Sequence, residues 1–217
     1  MNELLYGIPI LICVKGISKR CPNKNRLLLP FAFKWLSKYG LVDNVVIISN
    51  DNEMLSYCLK IGFSKVFYDD NDCNELVSCL NYIKTIDNEL FFLFPITQPF
   101  KDISLFDKFI DIIYHNDDVD FVTSKIIIKE RNIFYVNDSD NFIIESDERK
   151  GSLCSNRYML DGSLYLIRKS FLYNNYLNNN FWKGNFKSVL HNNIFLDIDD
   201  EFELESFFNI IDYYGTI

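Results

Sequence analysis

The sequence has no Cys-x-x-Cys pair among its six cysteines (13, 21, 58, 73, 79 and 154), only two histidines, and no long apolar run. The missing cysteine pattern argues against a disulfide framework or a zinc site and for reduced thiols in a cytoplasmic protein. The longest early apolar stretch, Ile8 to Val14, is too short to span a bilayer and lacks the layout of a signal peptide, so a soluble, unexported chain is expected. A net charge of −8 argues against nucleic acid as a partner, because binding a phosphate backbone needs a concentrated basic surface. His115 falls at a predicted helix end and His191 in an Asn-rich loop, so both read as incidental polar residues, and no nucleophilic triad is in view. Repeats are absent, and 217 residues fit one domain, 1–217, with a core of ordinary size. The abundant Phe and Tyr read as core, and runs such as Asn178-Asn179-Asn180 as compositional bias.

What is present is a loop, Lys15-Gly16-Ile17-Ser18-Lys19-Arg20-Cys21-Pro22-Asn23-Lys24-Asn25, with four cations and no Asp or Glu. It follows Ile8 to Val14, a continuous, partly β-branched run that reads as a strand buried on both faces. A polyphosphate can be held by backbone N–H groups of a tight loop and by lysine ammonium groups. Lys15, Lys19 and Lys24 supply charge, Gly16 allows close backbone approach, and Ser18 can donate from its hydroxyl. A solvated basic turn is the plain alternative; the position directly after a buried strand favours the phosphate reading.

Beyond the loop, helices are predicted over 27–39 (ending at Gly40), from Asp51 to Lys60 (stopping at Gly62), over 75–84 and over 105–114. Strands are predicted at 45–48, 66–67, 90–94 and 121–124. Strands alternating with helices at this spacing predict an α/β fold, a mostly parallel sheet in a three-layer α/β/α Rossmann-like arrangement. Ligands bind beyond the carboxyl ends of such strands, where loops 15–26, 49–53 and 95–102 fall. Residues 129–158 break the rhythm and read as a protruding hairpin or arm. The pattern resumes with a strand at 164–167, a short helix near 169–173 and a strand at 194–196, followed by Asp197-Ile198-Asp199-Asp200-Glu201 and a helix to about Tyr214. Asp197 and Asp199, flanking one apolar residue at a strand end, would point to the same side and suit Mg²⁺; acidic residues entering a helix also simply complement its dipole.

The order of these pieces resembles the acylneuraminate cytidylyltransferases, the CMP-N-acetylneuraminate synthetase type, within the nucleotide-diphospho-sugar transferase fold. The family signature A-R-G-G-S-K-G-x-P-x-K-N is similar to Val14 through Asn25, with Gly16, Ser18, Lys19, Pro22, Lys24 and Asn25 in register. V-S-T-D-D resembles Ile48-Ser49-Asn50-Asp51-Asn52, and L-Q-P-T-S-P-L-R resembles Phe94 through Lys101. N-G-A-x-Y resembles Asp161-Gly162-Ser163-Leu164-Tyr165, and D-I-D-T-x-x-D resembles Asp197 through Glu203.

The resemblance implies transfer of CMP from CTP to the anomeric hydroxyl of a nonulosonic or ulosonic sugar acid. It implies Lys15, Gly16, Ser18, Lys19, Lys24, Asn25 and Asp51 at the nucleotide, with Lys15, Lys19 and Asp199 catalytic. It places Thr97, Gln98, Asp161 and Tyr165 at the sugar, Mg²⁺ on Asp197 and Asp199, and 129–158 as the dimerisation arm of a homodimer. Several positions differ from the pattern. Lys15 replaces an Arg and lacks its bidentate fork, and Pro95 replaces a sugar-contacting Gln and has neither amide nor backbone donor. Tyr68-Asp69 replaces the Arg-Pro pair whose Arg helps read cytosine, and Asp161 replaces an Asn. These leave two further functions open: a nucleotidyltransferase for another nucleotide or acidic acceptor, and a nucleotide-binding homologue without turnover.

Overall fold

A computed structural model of the chain describes residues 3–71, 74–128, 135–136, 142–143, 157–176 and 181–214. The strands are β1 (Ile10–Cys13), β2 (Val45–Ser49), β3 (Val66–Tyr68), β4 (Leu90–Leu93), β5 (Phe121–Ile128), β6 (Tyr135–Val136), β7 (Phe142–Ile143), β8 (Arg157–Arg168) and β9 (Phe186–Leu190). The helices are α1 (Lys24–Lys38), α2 (Asn52–Ile61), α3 (Glu75–Ile83), α4 (Ser104–Tyr114), α5 (Lys169–Tyr176) and α6 (Glu201–Tyr214). Seven strands form one sheet in the order β3-β2-β1-β4-β8-β5-β9, in which only β8 runs antiparallel to its neighbours. The chain runs outward from β1 to β3 and then crosses back to β4, so the strand order reverses between β1 and β4. That crevice is where an open α/β sheet binds its ligand.

Alternation along each strand divides the core in two. Ile10 and Ile12, Val45 and Ile47, and Phe92 face α1, α2, α4 and α6; Leu11, Val46, Ile48, Phe91 and Leu93 face α3 and α5. Both faces are therefore covered, which is why these strands read as unbroken apolar runs.

Helix α1 starts at Lys24, three residues before its expected start, because Asn23 takes a left-handed conformation (φ 65°) and turns the loop directly into the helix. Pro30 lies inside it and lacks the N–H that would bond the carbonyl of Arg26. The Tyr57 hydroxyl of α2 donates to that carbonyl instead, at 2.9 Å, so the freed acceptor is satisfied. The predicted strand at 194–196 is not formed. The last strand of the main sheet is β9, eight residues earlier and parallel to β5. Ile194 and Phe195 are exposed, whereas Leu196 and Ile198 pack into the core from a segment outside the ladder. Burial without strand pairing produced a strand-like pattern there.

The expected arm, 129–158, lies largely outside the described residues; within it, β6 and β7 pair as a short antiparallel ladder. Among the described residues no helix is long and apolar enough to cross a membrane. Cys13, Cys21, Cys58 and Cys79 are free thiols.

Candidate active site

The loop leaving β1 is pinned from within. Asn25, buried in the first turn of α1, donates from its side chain to the Lys15 carbonyl at 2.8 Å, and Ser18 Oγ accepts from the Cys21 N–H at 3.3 Å. Gly16 passes directly against Asp51, and a Cβ there would lie 2.0 Å from Asp51 Oδ2. Asp51 in turn caps α2, accepting from the N–H groups of Glu53 (2.7 Å) and Met54 (3.3 Å). Of the predicted nucleotide residues, Asn25 and Asp51 thus shape the loop, while Lys15 and Lys19 extend from it as exposed cations.

Lys24 has a different position. Its side chain is buried, and its ammonium donates to the Ile198 carbonyl at 2.7 Å and to Asp199 Oδ1 at 3.4 Å, joining the first loop to the last acidic segment. Arg20 meets the same Asp199 oxygen at 2.8 Å. Arg20 stands outside the predicted site residues, since it departs from the family pattern; four cations in one loop is the sequence signal for it.

Asp197 and Asp199 lie in the irregular segment before α6, not at a strand end as expected. Ile198 between them is fully buried, and its N–H donates to the Thr97 carbonyl at 2.8 Å. The acidic run divides into two jobs. Asp200 and Glu203 form a capping box for α6: Asp200 Oδ1 accepts from the Glu203 N–H (3.0 Å), and Glu203 Oε2 accepts from the N–H groups of Asp200 (3.1 Å) and Asp199 (2.6 Å). The carboxylates of Asp197 and Asp199 take no part in that cap. Burial pushes the Asp197 carboxyl above its usual range, and the charges of Asp199 and Glu203 add to this, against a Thr97 hydrogen bond and the Lys24 ammonium. Two neighbouring carboxylates are a donor set that fits a divalent cation, since Mg²⁺ needs only one or two protein carboxylates. Among the described residues no group of three or more His, Cys, Asp or Glu side chains gathers as a metal cage.

The far wall comes from the loop after β4 and from a bulge in β8. The register between β5 and β8 shifts after Thr123, and Gly162 takes a positive φ of 69° there. Gln98 is buried and donates to the Asp161 carbonyl, and the Tyr165 hydroxyl lies over Gly162. Burial pushes the Tyr165 phenol up to about 12, with the Glu75 charge adding. Lys101 is buried; its ammonium donates to the carbonyls of Pro95 (2.7 Å) and Ser163 and sits 4.5 Å from the Phe94 ring centre. Burial drags its pKa down to about 7 although Asp161, Asp197 and Glu75 pull the other way.

His191 is not the incidental residue expected. Its Nε2 meets Asp161 Oδ2 at 2.8 Å, with both side chains about 1% exposed. Its Nδ1 accepts from the Asn193 N–H at 3.3 Å, so the ring proton belongs on Nε2, the donor to Asp161. Burial alone would raise the Asp161 carboxyl, but the His191 hydrogen bond, helped by the nearby Ser124 and Ser163 hydroxyls, holds it below the usual range. No hydrogen bond reaches its other oxygen, Oδ1. The Asp161 carboxylate is thus turned to His191 within the wall, and Thr97, Gln98 and Asp161 lie in one region, linked mainly through backbone bonds. On the opposite flank, Asp69 follows β3 and is buried; Oδ1 accepts from Asn81 at 2.8 Å, and Oδ2 has no partner.

A cavity of about 440 Å³ bordered by Gly7, Asn88, Tyr114 and Arg168 opens at the amino ends of β1 and β4, away from all of these loops.

No family model matches the sequence, and no curated protein does. Solved structures do match its fold. A CMP-2-keto-3-deoxy-manno-octonic acid synthetase complexed with CTP is similar with a TM-score of 0.73 at 10% identity, over 95% of this chain and 98% of the other. The 4-diphosphocytidyl-2C-methyl-D-erythritol synthase of Anaerococcus prevotii gives 0.65 at 15% identity, over 95% and 99%. HddC of Yersinia pseudotuberculosis, complexed with GMP-PN, gives 0.63 at 12% identity, over 92% and 97%. Along almost its whole length, the chain has the α/β fold of solved cytidylyltransferases.

Proposed function

We propose that the chain is a Mg²⁺-dependent cytidylyltransferase that transfers CMP from CTP to the anomeric hydroxyl of a sialic-acid-like sugar acid and releases pyrophosphate. The observation that carries this reading is the convergence of the basic loop 15–25 with Asp197 and Asp199 beyond the carboxyl ends of β1 and β4, joined by Lys24. Direct transfer at phosphorus needs positioning and charge neutralisation, with no covalent enzyme intermediate. The acceptor oxygen attacks the α-phosphorus, the bond to the bridging oxygen of the β-phosphate breaks, and the hydroxyl proton leaves to solvent.

Lys15 and Lys19, with the backbone at Gly16 and the Ser18 hydroxyl, hold the triphosphate, and Arg20 adds a fork for its oxygens. Lys24 and Asn25 keep the loop and the acidic segment in register. Asp197 and Asp199 would hold Mg²⁺, which would neutralise phosphate charge and polarise the reacting oxygens. Thr97, Gln98, Asp161 and Tyr165 form the acceptor wall, the first three chiefly by fixing its backbone. Residues 129–158 serve as the arm of a cytoplasmic homodimer.

A second reading, transfer from a nucleotide other than CTP, is favoured by Asp69. Tyr68-Asp69 stands where the family has its Arg-Pro pair, so the Arg that helps read cytosine is missing, and the Asp69 carboxylate beside that position, an acceptor only, keeps one oxygen without a hydrogen-bond partner. The structural neighbour complexed with GMP-PN shares the fold.

Pyrophosphate release across four NTPs and a panel of nonulosonic acids tests both. Release with CTP and a sugar acid is expected, and release only with another nucleotide selects the second reading. No release with any pair, together with no Mg²⁺-dependent nucleotide binding, removes both. Asp199→Asn is expected to abolish turnover in a folded protein, and unchanged turnover would remove the metal assignment.

A further inference from the structure

Arg20 occupies the oxygen that a divalent cation would need. Its guanidinium bonds Asp199 Oδ1 at 2.8 Å, and Lys24 approaches the same oxygen at 3.4 Å. The two cations differ in freedom. Lys24 is buried at the start of α1 and also bonded to the Ile198 carbonyl, whereas the Arg20 side chain is 69% exposed on a loop outside any helix or strand. The backbone that carries the carboxylate is fixed: the Asp199 N–H is held by Glu203, and Ile198 before it is held by Thr97 and Lys24. Mg²⁺ binds carboxylate oxygen at about 2.0–2.1 Å, so a cation seated on Asp199 Oδ1 and a guanidinium at hydrogen-bond distance from it compete for the same space and charge. Arg20 is the partner able to leave.

We infer that Arg20 is a latch on the cation site: it holds Asp199 in the ligand-free protein, lowers the affinity of the Asp197/Asp199 pair for a free divalent cation, and is displaced when one binds. This rests on the metal assignment proposed above. The consequence is that metal occupancy and the position of the basic loop are linked, because the residue displaced belongs to the loop that holds the triphosphate. An exposed ion pair is worth little in water, so the effect is modest, roughly two- to fivefold in cation affinity.

The test is Mn²⁺ binding to the full chain without nucleotide, read by electron paramagnetic resonance, for wild type, Arg20→Ala, Arg26→Ala and Asp199→Asn. Arg26 pairs with Glu53 at 3.5 Å on neighbouring helices, so its loss removes the same charge without touching Asp199. Arg20→Ala is expected to bind Mn²⁺ roughly two- to fivefold more tightly than wild type, with Arg26→Ala close to wild type and Asp199→Asn much weaker. Equal affinities for wild type and Arg20→Ala, or equal tightening by both arginine variants, would overturn the latch while Asp199-dependent binding leaves the metal site standing. Absence of Mn²⁺ binding in both wild type and Arg20→Ala, or binding indifferent to Asp199→Asn, would remove the metal assignment and the latch with it.

Discussion

Gly16→Ala is the substitution whose outcome follows most directly from the packing. A Cβ at position 16 would lie 2.0 Å from Asp51 Oδ2, 2.5 Å from its Cβ and 2.6 Å from its Cγ. Rotating the Asp51 side chain removes the first and third clashes but not the second, because that Cβ is fixed to the backbone of the α2 cap. The loop or the cap must therefore move. Forcing an extra methyl into such contact costs about 1–3 kcal/mol. For a domain of this size each kcal/mol lowers Tm by about 2–4 °C, so a fall of about 2–12 °C is expected.

A pair of second-site changes makes the reasoning specific. Asp51→Ala keeps the offending Cβ and loses the bonds to the Glu53 and Met54 N–H groups, a further loss of about 1 kcal/mol. Asp51→Gly removes the Cβ, and glycine at an N-cap costs only a few tenths of a kcal/mol. Thermal unfolding should therefore rank Gly16→Ala/Asp51→Gly above Gly16→Ala alone, with Gly16→Ala/Asp51→Ala the least stable. A wild-type Tm for Gly16→Ala, or equal rescue by both replacements of Asp51, would refute the contact. In the proposed enzyme, Gly16→Ala should also weaken nucleotide binding, since the displaced segment carries Lys15, Ser18 and Lys19.

Lys101→Met should change how stability varies with pH. The folded pKa of Lys101 near 7 lies below the unfolded value of about 10.4, so between those values the unfolded chain binds the extra proton and stability rises with pH. Wild type should gain about 2 kcal/mol relative to Lys101→Met between pH 7 and 9, and parallel denaturation curves at the two pH values would contradict the burial of a titrating ammonium. His191→Phe should leave the buried Asp161 carboxylate without its donor and cost about 1–3 kcal/mol. Because the Asp161 carboxyl is held below its unfolded value near 4, the pair's contribution is complete above about pH 4 and is lost as pH falls through the folded value. The gap between wild type and His191→Phe should therefore narrow on acidification below pH 4, and a gap that widens there would reverse the assignment.

The sheet was legible in the sequence wherever strands were buried on both faces. β1, β2, β4 and the start of β5 are continuous apolar runs, and continuity is what burial between two helical layers imposes. β9 was missed because Phe186-Lys187-Ser188-Val189-Leu190 is a half-exposed edge strand held by backbone pairing to β5, and backbone pairing leaves little trace in side-chain type. The start of α1 was misplaced because a left-handed Asn23, an unusual conformation for a residue with a Cβ, makes the turn. His191 read as incidental because its neighbours in sequence are asparagines. Its partner in space is 30 residues away, and no periodicity reports a contact of that kind.

Asp197 and Asp199 are held near each other for a reason other than the one their spacing suggested. Two carboxylates flanking one residue would share a side on a strand, but no strand is formed there, and their proximity comes instead from how Ile198 is held. Its side chain is buried, its N–H is taken by Thr97 and its carbonyl by Lys24. With the central residue fixed on three sides, the flanking carboxylates remain beside the basic loop, and burial, with the Asp199 charge adding to it, raises Asp197. The capping box formed by Asp200 and Glu203 meanwhile absorbs the other explanation for an acidic run at a helix start. What separates Asp197 and Asp199 from their acidic neighbours is thus a contact between residues 24 and 198, at opposite ends of the chain. That contact also explains why one lysine of the basic loop is buried: its ammonium is committed to the carbonyl of Ile198 and to the Asp199 carboxylate.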